Sequence, residues 1–244
     1  MKFAWRSELL KITTVPGLWV SAVLATIALP IVSLLVIATG GLGDADTITS
    51  GAATASVAGL LAFGAWGATV AAGEYARNTM QVSLATVPRR AVFYGAKLAA
   101  VAAVAVGGAL ISATAALLIV RLVTPTGEHA FGNPGKLVSI LLAVIAVAVM
   151  GAAVGVLTRS PTASIAIVVV AILLPKVAGS LLGGLEPWVV GASPGTVITQ
   201  IVGGAQLPTD QMYPPGAWPA ALTMLAVAAT VAVAGGIVLH RRDG

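Results

Sequence analysis

Long apolar runs, separated by short polar or glycine- and proline-rich intervals, occupy most of this sequence. Each run is about 20 residues long, the length that an α-helix needs to cross the hydrocarbon layer of a bilayer. The pattern therefore predicts an all-α polytopic membrane protein, with residues 1–244 forming a single transmembrane domain. The six predicted spans cover residues 17–39, 51–72, 98–122, 137–157, 162–182 and 217–239.

The segment before the first span is predicted to form an amphipathic helix over residues 2–12. On a helical wheel Trp5 and Leu9 fall on the apolar half, while Glu8 and Lys11 fall on the polar half. Such a helix lies in the membrane interface, with its apolar half toward the acyl chains. The alternative is the positively charged flank of a signal anchor. A cleaved signal peptide is disfavoured because the apolar run that follows is too long.

One long charged interval, from Gly73 to Lys97, separates the second span from the third. A charge at the bilayer centre costs roughly 2.5–3.5 kcal/mol, so these charges are expected in water, at the headgroups or against another protein. Thr79–Thr86 can form a short helix, which Pro88 ends because the residue before a proline is displaced from helical geometry.

The segment of residues 183–216 contains too much proline and glycine to cross the bilayer. Ser193 followed by Pro194 is typical of a helix start, and the helix is predicted to end near Gly203. We expect short re-entrant helices here, at the outer face of the membrane. Three aromatic residues suit the membrane interface: Trp188, Tyr213 and Trp218.

The amino-acid composition excludes several classes of protein and of catalytic site. The chain is 58% hydrophobic and only 9% charged, whereas soluble domains are about 25% charged. It contains no cysteine, which excludes thiol catalysis and thiolate metal sites. It also lacks the GxxxxGK[ST] loop that binds ATP phosphates and the HExxH zinc motif. We therefore expect no catalytic residue, no metal site and no cofactor in this chain.

The distribution of basic residues predicts the orientation in the membrane. If both termini and the Gly73–Lys97 interval lie on one side, only Arg121, Lys136 and Lys176 remain on the other. Because lysine and arginine favour the cytoplasmic side, both termini are expected in the cytoplasm, most simply at a bacterial plasma membrane. A pI near 10.0 can indicate nucleic-acid binding, but here the basic residues flank the spans, so no nucleic-acid partner is expected.

Lys176 is the one charged side chain that the sequence places within a span, near its outer end. It can extend to the headgroups, or it can contact an anionic head group of a substrate. No predicted span contains an aspartate or glutamate away from its ends. This disfavours a proton-coupled secondary carrier, which normally needs a buried carboxylate.

The order of these parts resembles the permease subunits of bacterial ABC type-2 exporters, particularly small actinobacterial ones. The resemblance covers essentially the whole chain, and the interval after the second span is its most specific part. That part consists of Gly73-Glu74-Tyr75, then Arg77-Asn78-Thr79, and finally Val87-Pro88-Arg89-Arg90 before the third span.

The resemblance implies that residues 76–87 form a coupling helix that docks on a separate ATP-binding subunit, which would carry the ATP and magnesium. A second copy of the permease or a sister chain would complete the complex. Residues 186–216 would cap the pathway on the outside. The predicted contacts with the ATP-binding subunit are Glu74, Tyr75, Arg77, Thr79, Val87, Pro88, Arg89 and Arg90.

The implied activity is export of a hydrophobic or amphipathic substrate, such as a drug, lipid or peptide, by alternating access. Arg89 and Arg90 have a second interpretation, since a basic pair can simply anchor the third span at the headgroups. Two other functions remain open. One is an ATP-independent secondary carrier, and the other is a structural or regulatory membrane subunit that transports nothing.

Overall fold

The computed structural model describes residues 2–41, 43, 46–80, 89–124, 129–203 and 211–242. This part of the chain is helical, with no strand. The helices are α1 (Lys2–Thr14), α2 (Pro16–Ala38), α3 (Ile48–Thr54), α4 (Ser56–Ala76), α5 (Arg90–Val123), α6 (Val138–Thr158), α7 (Pro161–Ala178), α8 (Glu186–Val189), α9 (Pro194–Val202) and α10 (Ala217–Arg242).

Six of these helices are long and apolar enough to cross a membrane, namely α2, α4, α5, α6, α7 and α10. The all-α polytopic membrane fold is thereby confirmed. Consecutive spans run in opposite directions, so the N-terminus, the α4–α5 connection and the C-terminus share one end of the bundle. We call this the inner end, and we call the end with α3, α8 and α9 the outer end.

The centre of the bundle is the pair α4 and α6. In the most apolar stretch of each, 67% of the residues are buried, against 17–33% in the other four spans. A Cβ at Gly67 would lie 2.1 Å from the carbonyl oxygen of Ala148, and one at Gly151 would lie 2.3 Å from that of Gly64. Glycine at these points lets the two backbones touch, so the small residues of the second span place it inside the bundle, as expected.

The other spans surround this pair. Helix α10 packs against α6, α7 packs against α4, and α2 lies across α4 and α5. The indole of Trp66 in α4 is buried and donates a 3.1 Å hydrogen bond to the carbonyl oxygen of Leu18 in α2. This bond satisfies the only polar atom of a large core side chain.

Helix α4 begins later than the sequence suggests, at Ser56 rather than Gly51, because the preceding residues form the separate helix α3. The side chains of Thr47 and Ser50 each accept a hydrogen bond from the other residue's backbone N–H, which makes a capping box at the start of α3. A turn at Ala55 then separates α3 from α4.

Helix α5 begins earlier than expected, at Arg90 rather than Leu98. The predicted span excluded the first two turns because they carry Arg90 and Lys97. Nothing in residues 90–97 opposes helix formation, and Lys97 meets opposite charges inside the bundle, as described below. The charge of Lys97 therefore does not mark the end of the helix.

At the outer end, the chain continues from α7 through a 3₁₀ stretch, Gly179–Leu185, into the short α8. Helix α9 begins at Pro194 and ends before Gly203, which has a φ of +76°, so its bounds follow the sequence signals. The Ser193 side chain makes no bond to the helix backbone. Its hydroxyl instead lies 2.9 Å from that of Thr196.

Candidate functional site

Helix α1 packs against α2 and α5, with a face that the sequence did not indicate. Glu8 was predicted on the water-facing half, but its residue surface is only 3% exposed. Trp5 and Leu10 are exposed instead, toward the surroundings of the bundle, and Ile12 is buried. The prediction for Glu8 was wrong because it ranked side chains by hydrophobicity alone, without a charged partner on another helix.

That partner belongs to a group of four charged side chains, which we call the charge cluster: Glu8 and Lys11 of α1, Glu74 of α4 and Lys97 of α5. The Lys97 Nζ lies 2.6 Å from Glu8 Oε2 and 2.9 Å from Glu74 Oε1. The Lys11 Nζ lies 2.6 Å from Glu8 Oε1 and 2.9 Å from the same Glu74 Oε1. Two carboxylates and two ammonium groups therefore neutralise one another across three helices.

Three members of the cluster are buried: Lys97 is 1% exposed, Glu8 3% and Glu74 4%. Sequence analysis expected the charges of the Gly73–Lys97 interval in water, at the headgroups or against another protein, and for Glu74 and Lys97 this was wrong. Each is compensated within the chain, which is how a charged group can be retained in an apolar interior. A usable signal was present, because opposite charges occur at the inner ends of α1, α4 and α5.

An aromatic ring adjoins the two lysines. Phe93, one turn before Lys97 on α5, is buried, and its ring centroid lies 5.0 Å from Lys97 Nζ and 5.6 Å from Lys11 Nζ. At these distances the face of an aromatic ring attracts a cation. The ring thus closes the cluster on its apolar side.

Lys11 lies outside the membrane spans and is the most accessible member of the cluster. Burial acts most strongly on the pKa of Lys11 and lowers it. The hydrogen bonds to Glu8 and Glu74, together with the negative charges of both carboxylates, outweigh burial and raise this pKa above the ordinary lysine value. Lys11 therefore remains protonated at neutral pH.

A cavity of about 160 Å³ adjoins the charge cluster. Its wall combines apolar side chains, such as Val15 and Leu18, with Arg77 and Thr79. The second carboxylate oxygen of Glu74, Oε2, is buried and has no hydrogen-bond partner among the described residues. Glu74 lines this cavity, which is large enough for several waters, since each water occupies about 30 Å³ in the liquid.

Helix α4 ends two residues after Glu74, at Ala76. The backbone N–H and the hydroxyl of Thr79 both donate to the carbonyl oxygen of Glu74, at 3.0 and 3.3 Å. Asn78 has a φ of +53°, a left-handed conformation that asparagine tolerates better than most residues. The predicted coupling helix, residues 76–87, falls largely outside the described residues, and Val87 and Pro88 lie there as well.

The basic pair at the start of α5 is divided in the structure. Arg90 Nη1 donates to the carbonyl oxygens of Leu239, at 3.4 Å, and His240, at 3.2 Å, in the last turns of α10. Arg89 is exposed. One turn into α5, the hydroxyl of Tyr94 donates to the carbonyl oxygen of Ala232 at 2.8 Å. Arg90 thus joins α5 to α10, while Arg89 points away from the bundle.

The remaining predicted contact residues lie near the cluster at the same end. The ring of Tyr75 lies 5.2 Å from the guanidinium carbon of Arg159, in the turn between α6 and α7. Arg77 and Thr79 are exposed. The structure therefore brings Glu74, Tyr75, Arg77, Thr79, Arg89 and Arg90 to the inner end of the bundle.

Lys176 is not part of this group. It is exposed near the outer end of α7 and lines a cavity of about 240 Å³, together with Asp46, Ser50 and Thr199. The Asp46 carboxylate already accepts hydrogen bonds from the backbone N–H of Gly43 and the hydroxyl of Ser50. Sequence analysis placed Lys176 alone within a span, but the structure also places Lys97 within one, and Lys97 is the buried lysine of the two.

No protein-family model and no curated protein matches the chain. What is established is a multi-pass helical membrane protein. Its function has to be argued from the charge cluster and from the end of α4 beside it.

Proposed function

We propose that this protein is the membrane-spanning permease subunit of an ATP-driven ABC exporter, which moves a hydrophobic or amphipathic substrate by alternating access. One observation carries the proposal. The charge cluster joins α1, α4 and α5 through Glu74, two residues before α4 ends and where the predicted coupling helix begins. A force applied to that segment is therefore delivered to three helices together.

The transmission path begins at residues 77–79, which follow α4 and are exposed. Thr79 is hydrogen-bonded to the end of α4 through the Glu74 carbonyl oxygen, and the Glu74 side chain is ion-paired to α1 and α5. Helix α4 in turn packs along α6 at the centre of the bundle. Movement of the segment would displace α1, α4 and α5 as a unit. Such a displacement follows ATP hydrolysis only if the states of the ATP-binding subunit bind the segment differently.

The predicted contact residues take different roles in this scheme. Arg77, Thr79 and Arg89 are exposed at the inner end and are available to an ATP-binding subunit. Glu74 is buried and acts as a positioning residue within the chain. Arg90 follows its second interpretation as an anchor, although its target is α10 rather than the headgroups.

The proposal implies partners of defined chemistry. A separate subunit supplies ATP and magnesium, and a second copy or a sister permease forms the other half of the pathway. Both termini lie in the cytoplasm, because the inner end carries most of the basic residues. Lys176 lies at the opposite end, where it can meet an anionic group of the exported molecule.

A proton-coupled carrier is a second candidate, and one observation favours it. The structure buries two carboxylates, Glu8 and Glu74, which sequence analysis did not place inside the bundle. Both are paired with lysine, however, and both lie at one end of the bundle. Carriers of known architecture bind their coupling ion near the bilayer midplane, so this candidate ranks below the exporter.

The test is purification in mild detergent from the native host. We expect a stoichiometric ATP-hydrolysing subunit to accompany the protein, and Arg89→Glu to release it, because the variant places a negative charge on the proposed contact. Arg241→Glu is the matched control, since Arg241 is also exposed at the inner end but outside the proposed contact. Recovery of the protein without an ATPase, or equal retention in both variants, would contradict the exporter proposal.

A further inference from the structure

A second cavity lies at the outer half of the bundle, between α6, α7, α8 and α10, with a volume of about 330 Å³. This volume falls within the range of about 300–1,000 Å³ that is typical of small-molecule sites. Its floor is buried and apolar, formed by Ala146, Val147, Met224 and Ala228.

The mouth of this outer cavity is also apolar. Ala171, Trp188, Val189 and Val227 line it and are exposed. Large apolar side chains on the same helices continue this exposed surface, namely Val170 and Leu174 on α7 and Leu222 on α10. Because α7 and α10 have the length and apolarity of membrane spans, we expect acyl chains against this surface. The mouth would then open toward lipid.

One edge of the cavity carries an aromatic pair, and Ser193 and Thr223 are the hydroxyl side chains of its lining. The rings of Trp188 and Tyr213 meet edge to face, with centroids 5.4 Å apart. The hydroxyl of Tyr213 lies 3.0 Å from that of Thr223, which lines the cavity. Tryptophan and tyrosine are enriched at the depth of lipid headgroups, so this edge marks where the hydrocarbon layer ends.

A lysine follows a residue of the cavity wall. Pro175 lines the cavity, and the next residue, Lys176, is exposed and lines the neighbouring polar cavity together with Asp46. An apolar chamber with an aromatic edge and an adjacent cation matches an amphiphile that has a hydrocarbon chain and a negatively charged head.

We propose that the outer cavity holds an acyl chain of an anionic phospholipid, whose phosphate meets Lys176. The lipid enters sideways from the membrane, so its binding does not depend on the exporter proposal. Helices α6, α7 and α10 would then be joined by a lipid chain at the outer end. A hydrophobic solute and a second protein chain are the competing occupants, and the experiment below separates them.

The test uses tryptophan quenching by brominated lipid in reconstituted vesicles. One variant keeps Trp66 and Trp188, the other keeps Trp66 and Trp218, and the remaining tryptophans are replaced by phenylalanine. Trp218 is exposed at the outer end but does not line the cavity, so it reports the bulk lipid, while Trp66 is buried in both. With brominated phosphatidylglycerol in a phosphatidylcholine bilayer, we expect Trp188 to reach half-maximal quenching at about fivefold lower mole fraction than Trp218.

Identical curves for the two tryptophans would overturn the proposal. So would a Trp188 that brominated lipid does not quench, since a second chain or another solute would then occupy the mouth. Ala228→Leu fills the floor of the cavity and should abolish the difference. Its control is Ala229→Leu, the adjacent exposed position on the same helix, which should leave the difference intact.

The head-group part of the proposal has its own test. Lys176→Gln should remove the preference for brominated phosphatidylglycerol over brominated phosphatidylcholine at Trp188, a loss of about fivefold, because one lysine contributes about 1 kcal/mol beside anionic lipid. Trp188 should still be quenched by both lipids, as the chain site is unchanged. An unaltered preference would exclude Lys176 as the phosphate partner.

Discussion

At the scale of single residues, Lys97 has the most demanding environment in the described part of the chain. It is 1% exposed, and both of its partners, Glu8 and Glu74, are carboxylates that are themselves buried. An ion pair of this kind contributes little net stability, because desolvation offsets the attraction between the charges. Removing one partner is costly, however, since it leaves a charge buried and unpaired.

Replacement of Lys97 by methionine should therefore destabilise the protein by about 3–5 kcal/mol. The double variant Lys97→Met with Glu74→Gln should recover much of this loss, because Glu8 and Lys11 then remain as a balanced pair. Thermal unfolding in detergent, followed by the fluorescence of the buried Trp66, measures both effects. Lys176→Met is the control, as Lys176 is exposed. A single variant no less stable than this control would refute the energetic role of the cluster.

The charge cluster also shows what the sequence could predict at this scale. The sequence identified Glu74 as a residue of special interest and Lys97 as the end of the charged interval. It could not show that Glu8, 89 positions before Lys97, meets it at 2.6 Å. Charge alone indicates that a residue needs compensation. Whether water, lipid, another protein or the same chain supplies it depends on how the helices pack.

At the scale of elements, α4 and α6 approach closely because glycines, which have no side chain, lie at their contact. Sequence analysis placed the second span inside the bundle because it is rich in small residues, and the buried α4 confirms this. The bounds of α3 and α5 were less predictable. The start of α3 depends on the Thr47–Ser50 capping box, and the start of α5 on the compensation of Lys97 by residues of other helices. Neither is visible in the hydropathy of the sequence.

Gly67→Ala tests this contact. A Cβ at Gly67 would lie 2.1 Å from the carbonyl oxygen of Ala148, so α4 and α6 must separate to admit it. We expect a loss of about 1–3 kcal/mol in the free energy of unfolding, the usual effect of overpacking. Gly107→Ala on α5 is the control, since a Cβ there meets nothing within 4 Å. Alanine is the better helix former, so the control should be neutral or up to about 1 kcal/mol more stable.

Unfolding in mild detergent, measured for both glycine variants side by side, checks the prediction. If neither Gly67→Ala nor Gly107→Ala lowers the free energy of unfolding, the two helices are not held at the separation that the structure shows. If both variants lower it equally, glycine serves helix flexibility in this bundle, and not close approach.

At the scale of the whole molecule, the two ends of the bundle differ in the interactions between their helices. At the inner end, ion pairs of the charge cluster join α1, α4 and α5. Hydrogen bonds from Arg90 and Tyr94 join α5 to α10. The outer end contains the apolar cavity beside α8 and the polar cavity beside α9. Cavities occur at both ends, so the difference lies in the ion pairs, which among the described residues all lie at the inner end. A displacement of the inner end would be shared by the helices that these ion pairs join, and the exporter proposal depends on this.

Arg90 provides the test of that asymmetry, because it connects α5 to the last helix. Its guanidinium meets the carbonyl oxygens of Leu239 and His240, where the helix dipole favours a positive charge. Arg90→Gln should weaken the last turns of α10 by about 1 kcal/mol, seen as roughly fivefold faster hydrogen exchange at residues 239–242.

The matched variant Arg89→Gln changes an exposed side chain, and exchange in α10 should be unaffected by it. In the complex with an ATP-hydrolysing subunit, the order should reverse. Arg89→Gln should reduce the mutual stimulation of transport and ATP hydrolysis more than Arg90→Gln, because only Arg89 faces outward at the proposed contact. Equal exchange in the two variants would mean that α10 is not tied to α5 through Arg90. Helix α10 would then have to follow through the Tyr94 hydrogen bond to Ala232 or through its packing against α6.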